Sequence, residues 1–128
     1  MEPPFPKLFT SEEANALLPA LRKLLEEVAV RRAAIREKAP HLERILGVSA
    51  SNGGGKIGSE YSVEAYNLYL VVGRIHELGV LLKDLDMGLL DFPHEMGGRV
   101  VFLCRHPPEE RISYWHGIQD GYRGRQPL

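Results

Sequence analysis

Between Gly88 and His116 the sequence runs Gly-Leu-Leu-Asp-Phe-Pro to Ser-Tyr-Trp-His, and no other stretch limits the fold so tightly. It holds the single Cys, the single Trp and three of the five His. Gly97-Gly98 suits a two-residue hairpin turn, which needs positive φ at both central positions. A hairpin centred there sets Asp91 opposite Cys104, Phe92 opposite Leu103 and Glu95 opposite Val100. With His106 to Glu110 as the next loop, Cys104 faces Ile112, Phe102 faces Tyr114 and Val100 faces His116. Side chains alternate between faces. One face then carries Leu89, Asp91, Val100, Phe102, Cys104, Ile112, Tyr114 and His116; the other carries Leu90, Phe92, Val101, Leu103, Ser113 and Trp115. A sheet with one wet side alternates apolar and polar residues, and this one is apolar on both. It needs two covers. A helical pair supplies one, and the N-terminal arm, the tail or another subunit supplies the second. A symmetric homodimer, the commonest oligomer, is the expectation.

The segments on either side read as helix. Met1 to Phe9 carries three prolines and is expected to be an extended arm. Thr10-Ser11-Glu12-Glu13 is a capping box, in which the Thr10 hydroxyl and the Glu13 carboxylate satisfy each other's backbone amides. Apolar residues at Ala14, Leu17, Leu18, Leu21, Leu24, Leu25, Val28 and Ile35 form a helical stripe. Pro19 predicts a kink within it, or a short helix followed by a longer one, and Pro40 its end, because proline removes a hydrogen bond and crowds the preceding turn. Arg31, Arg32, Arg36 and Lys38 crowd its last part, as cations favour a helix C-terminus. Leu42, Ile45 and Leu46 add a further turn. Residues 49–58 read as a flexible linker. Its Gly-Gly-Gly-Lys is not a phosphate loop: Ala50 and Ile57 stand where the Walker pattern needs Gly and Ser or Thr. A second helix over 59–79 presents Tyr61, Ala65, Leu68, Val72 and Ile75 at coiled-coil spacing, with Gly79 past its last turn. The expected fold is one α+β domain: a helical pair (10–48 and 59–79) on a three- to four-stranded antiparallel meander (80–116), then a tail (117–128).

Composition excludes several classes. A net charge of −1 argues against a general nucleic-acid binder. One cysteine makes no internal disulfide, so nothing demands an oxidising compartment. Neither a signal-peptide pattern nor an apolar run of the ~20 residues needed to span a membrane is found. A cytoplasmic location is expected. Scarce Asn and Gln beside plentiful Arg and Glu fit a heat-adapted source.

Candidate chemistry concentrates on the meander. Asp91, Cys104 and His106 offer three ligands for an open zinc site. Cys104 and His116 lie about four residues apart in the predicted register, or ~13 Å, which excludes them from sharing one ion. Glu95 and His116, with Asp120, form a candidate carboxylate–imidazole pair for proton transfer. Cys104 is a poor nucleophile, since an apolar strand disfavours the thiolate. Trp115 reads as a core or interface anchor. Arg123 and Arg125, with Tyr122, offer a grip on a carboxylate or phosphate, or a dock for the tail. Asp84 to Gly88 lacks the remaining ligands of a calcium loop and reads as a turn.

Phe9-Thr10-Ser11-Glu12-Glu13-Ala14-Asn15-Ala16-Leu17-Leu18-Pro19 opens the chain. Lys83-Asp84-Leu85, Gly88-Leu89-Leu90-Asp91-Phe92-Pro93, Leu103-Cys104, Tyr114-Trp115-His116 and Gly124-Arg125-Gln126-Pro127-Leu128 follow in order. In this combination, over nearly its whole length, the chain resembles a bacterial family of small proteins, the domain of unknown function numbered two thousand two hundred and three. It departs at Arg105, where members tend to carry Trp. No established activity comes with the resemblance, so it assigns no site residue. The functional expectation is a non-enzymatic module that self-associates or binds another protein. The rival is a small-molecule- or metal-dependent enzyme using Asp91, Cys104 and His106, or Glu95 and His116.

Overall fold

A computed structural model describes residues 5–49 and 56–128, with side chains over 5–38 and 62–128. The linker residues 50–55, the start of the arm and the side chains of Leu42, Ile45, Leu46 and Tyr61 lie outside the described set. The class is α+β: helix α1 (Ser11–Ser49), helix α2 (Lys56–Glu77), then strands β1 (Leu81–Asp84), β2 (Leu89–Met96), β3 (Arg99–Arg105), β4 (Tyr114–His116) and β5 (Gln126–Pro127). The strands form one antiparallel sheet in chain order. It has one strand more than the sequence predicts, because the tail returns to pair with β4.

Two compact units divide the chain. The first comprises residues up to Lys23 together with Arg74–Leu128. Its α1 starts at the predicted box: the Thr10 amide donates to Glu13 Oε1 at 2.9 Å, and the Glu13 amide to Thr10 Oγ1 at 3.1 Å. Neither Pro19 nor Pro40 ends α1. An interior proline costs about 3 kcal/mol. Ala14, Leu18 and Leu21 are fully buried around Pro19, and each buried leucine contributes roughly 1.5–3 kcal/mol. Burial wins. The second unit, Leu24–Gly73, holds the rest of both helices. Val28 and Val71 are buried there, Lys38 pairs with Glu64 at 3.7 Å, and Arg32, Ile35, Arg36, Ala65 and Leu68 line a cleft of about 280 Å³. Helix α2 begins at Lys56, three residues before the predicted Ser59.

In the sheet, Gly97 and Gly98 take φ of 58° and 83°, and the β2–β3 register is the predicted one. The Asp84–Gly88 segment is a turn, with Asp84 Oδ1 accepting from the Asp86 and Met87 amides. The β3–β4 register differs from expectation by two residues: Phe102 faces His116 and Cys104 faces Tyr114. Faces are preserved, since a shift of two changes no side chain's direction. Both faces are buried by this chain itself. Phe9 packs edge-on against Phe92 on one (5.5 Å between centroids), and Phe5 meets Phe102 on the other (5.3 Å). Arg125, from the tail, lies over Tyr114 on that second face at 4.2 Å. The sheet therefore supplies no argument for a second subunit.

Pro93 stands inside β2, where proline normally breaks a ladder. Strand β1 pairs no further than Asp91, and past it the Phe9 amide donates to the Pro93 carbonyl at 2.6 Å. An ordinary residue at 93 would return an N–H to the Phe9 carbonyl. Proline has none, and His94 Nδ1 takes that carbonyl instead, at 2.6 Å. His94→Ala is expected to cost about 1–2 kcal/mol, read from the urea midpoint. An unchanged midpoint would assign the carbonyl to water.

Candidate metal centre

The register shift decides the chemistry. His116, placed opposite Phe102, comes to lie beside both Asp91 and Cys104 on one face. The three ligand atoms all fall within 4.8 Å of one another, and all three residues are buried. His116 Nε2 stands 3.0 Å from Asp91 Oδ1. This overturns the sequence expectation that Cys104 and His116 lie too far apart to share an ion. It also removes His106 from the set. That ring lies against Tyr122 at 5.1 Å, and its backbone amide donates to Glu109 Oε1. Glu95 is exposed opposite Val100, so it does not partner His116. Asp120 instead accepts from the Gly117 amide at 3.2 Å.

His116 is oriented from behind. Its Nδ1 lies 2.8 Å from the Gly117 carbonyl, and a carbonyl only accepts, so Nδ1 carries a proton. Nε2 is then aimed at Asp91, and the two share the remaining proton between them. A Cβ at Gly117 would stand 2.5 Å from Asp120 Oδ2, so a larger residue there would displace the Asp120 carboxylate. A backbone carbonyl on the far ring nitrogen is also how metal-bound histidines are commonly held.

Burial governs the other two groups. It raises the Asp91 carboxyl above its usual value, against the pull of His116 and Lys83. Burial first, and then the Asp91 charge, push the Cys104 thiol up to about 12. Such a thiol is a poor nucleophile, with both His116 nitrogens engaged by the Gly117 carbonyl and Asp91. Native protein at neutral pH is therefore expected to resist a thiol-disulfide reagent such as DTNB and to react fully once unfolded in guanidinium. Rapid native labelling would contradict this burial.

The remaining candidates are dispersed. Trp115 is half-buried on the opposite face, paired with Leu103 and Gln126, with the Arg99 guanidinium 5.9 Å from its ring. Arg123 is exposed. Arg125 is committed: it pairs with Glu109 at 3.0 Å and lies over Tyr114 and Tyr122 at 4.2 and 4.6 Å. It sits beside Cys104, whose cross-strand neighbour is Tyr114.

A family model described as an uncharacterized conserved protein, DUF2203, matches residues 7–128. The chain belongs to that family. No curated protein and no solved structure matches it. Among the described residues, no helix of this DUF2203 protein is long and apolar enough to cross a membrane.

Proposed function

We propose that this DUF2203 protein binds a divalent metal ion of the zinc class through Asp91, Cys104 and His116. The observation that carries this is the convergence of three buried N, O and S atoms within 4.8 Å. Around tetrahedral zinc, with bonds of about 2.0–2.3 Å, ligand atoms stand roughly 3.5 Å apart. The widest separation here exceeds that by about 1 Å, within reach of small side-chain rotations. Charge favours the exchange. Without metal, the thiol proton and the proton shared by Asp91 and His116 leave the site neutral. A dication replacing both, bound to a thiolate, a carboxylate and a neutral imidazole, keeps it neutral, so a buried site gains no net charge. Three protein ligands leave an open position, the arrangement of catalytic rather than structural zinc.

The test is cobalt or zinc titration of chelator-treated protein. The expected result is stoichiometric binding, a thiolate-to-cobalt charge-transfer band, and release of about two protons per ion. Cys104→Ser should abolish the band. Stoichiometric cobalt binding without that band would remove Cys104 from the site, and the absence of binding would remove the reading. A buried single thiol suits a reducing compartment, which in this reading makes the protein cytoplasmic.

A second reading, self-association or the binding of another protein, is favoured by one observation. Val63, Tyr66, Tyr69 and Leu70 are exposed along α2, and Val63, Tyr66 and Leu70 follow the three–four spacing of a helix seam. Light scattering of the full chain against Tyr66→Ser/Leu70→Ser tests it. A parent that is already monomeric at tens of micromolar would remove the self-associating form.

A further inference from the structure

Two arginines meet at the loop that follows β3, on the face of the sheet opposite the metal ligands. Arg22, on α1, donates from Nη2 to the Glu110 carbonyl at 2.7 Å. Arg105, the last residue of β3, donates from Nε to the Glu109 carbonyl at 3.0 Å. Consecutive carbonyls thus draw two guanidinium groups together. Arg105 is only 5% exposed. Burial, followed by the Arg22 charge, lowers its pKa, against the pull of the Glu109 charge.

Among the described residues, neither arginine has a carboxylate partner within ion-pair distance. The carboxylate of Glu109 is committed elsewhere, to Arg125 at 3.0 Å and to the His106 amide at 2.6 Å. Two like charges side by side, one of them buried, are only partly offset by the Glu109 charge, and an anion that joins them would complete the balance. Each fork spends one nitrogen on a carbonyl and keeps the rest, the donor geometry that oxyanions are gripped by. We propose that Arg22 and Arg105 together hold an oxyanion, a carboxylate or phosphate group, between α1 and the loop after β3.

The site is independent of the metal reading, so the experiment uses chelator-treated full-length protein. Inorganic phosphate and succinate are titrated separately by calorimetry at constant ionic strength, with chloride as the control. The expected result is saturable binding of at least one of them, weakened about tenfold or more in Arg22→Gln and unchanged in Lys23→Gln. Which anion binds more tightly identifies the natural group. Arg22 is only half-buried, so Arg22→Gln keeps the test usable even if Arg105→Gln fails to fold. Absence of saturable binding by either anion, or equal binding by Arg22→Gln, overturns the proposal.

Discussion

Replacing His116 by Leu alone is expected to destabilise the metal-free protein by about 3–5 kcal/mol, and adding Asp91→Val is expected to recover most of that loss. The asymmetry follows from burial. Both side chains are 2% exposed and face each other at 3.0 Å. Removing the imidazole strands a carboxyl whose partner was that ring, and water cannot reach it. Removing both groups leaves apolar side chains beside Phe102 and releases only the Gly117 carbonyl, on a residue that is partly exposed to water. Val at 91 also suits a strand interior. Urea unfolding of chelator-treated single and double variants measures both effects. A double variant no more stable than His116→Leu would show that packing, and not the unpaired carboxyl, sets the cost. The double variant should fold yet bind no metal. A buried polar pair that contributes little to stability and much to a site is what a functional constraint looks like.

The part of this site legible in sequence was fixed by one turn. Gly97-Gly98 dictates positive φ twice, so the β2–β3 register could be counted outwards from it, and Asp91 opposite Cys104 followed. Nothing comparable marks the connection from His106 to Ser113. Its length is unconstrained by any turn signal, and it is two residues longer than expected, which moves β4 by two. A shift of two preserves parity, so strand alternation predicts the face of His116 but not its neighbours. The shorter, expected connection separates His116 from Cys104 and leaves His106, two residues past Cys104 in the chain, as the histidine of the expected set. The fifth strand is hidden for another reason: Gln126–Pro127 is too short to show periodicity, and its flanking contacts, Arg125 to Glu109 and the Leu128 amide to the Ser113 carbonyl, are long-range. Pro19 misled in the opposite sense. Its local penalty is real, but local propensity yields to the buried leucines around it.

The other large effect expected is at Phe92, where truncation to Ala should cost about 3–5 kcal/mol. Phe92 is fully buried, and Phe9 stands against it at 5.5 Å with the rings nearly perpendicular. Core truncations are cheapest where neighbours can collapse into the void. Phe9 is badly placed to do so. Its amide is bonded to the Pro93 carbonyl, and its own carbonyl to the His94 ring, so the backbone that carries the ring is stitched to β2. The void should persist, and the cost should fall in the upper half of the range. Set against a whole-domain stability of roughly 5–15 kcal/mol, such a loss leaves a marginal fold. Phe9→Ala should be similarly costly, and the two losses should not add. With Phe92 gone, the edge-to-face contact is already lost, a coupling of about 0.5–1.5 kcal/mol. Urea midpoints for both singles and the double give that coupling directly. Strict additivity would mean that the rings fill space independently. Adding His94→Ala to Phe92→Ala then tests the stitching: once the tie is cut, Phe9 can settle into the void, and the combined loss should be smaller than the sum of the two.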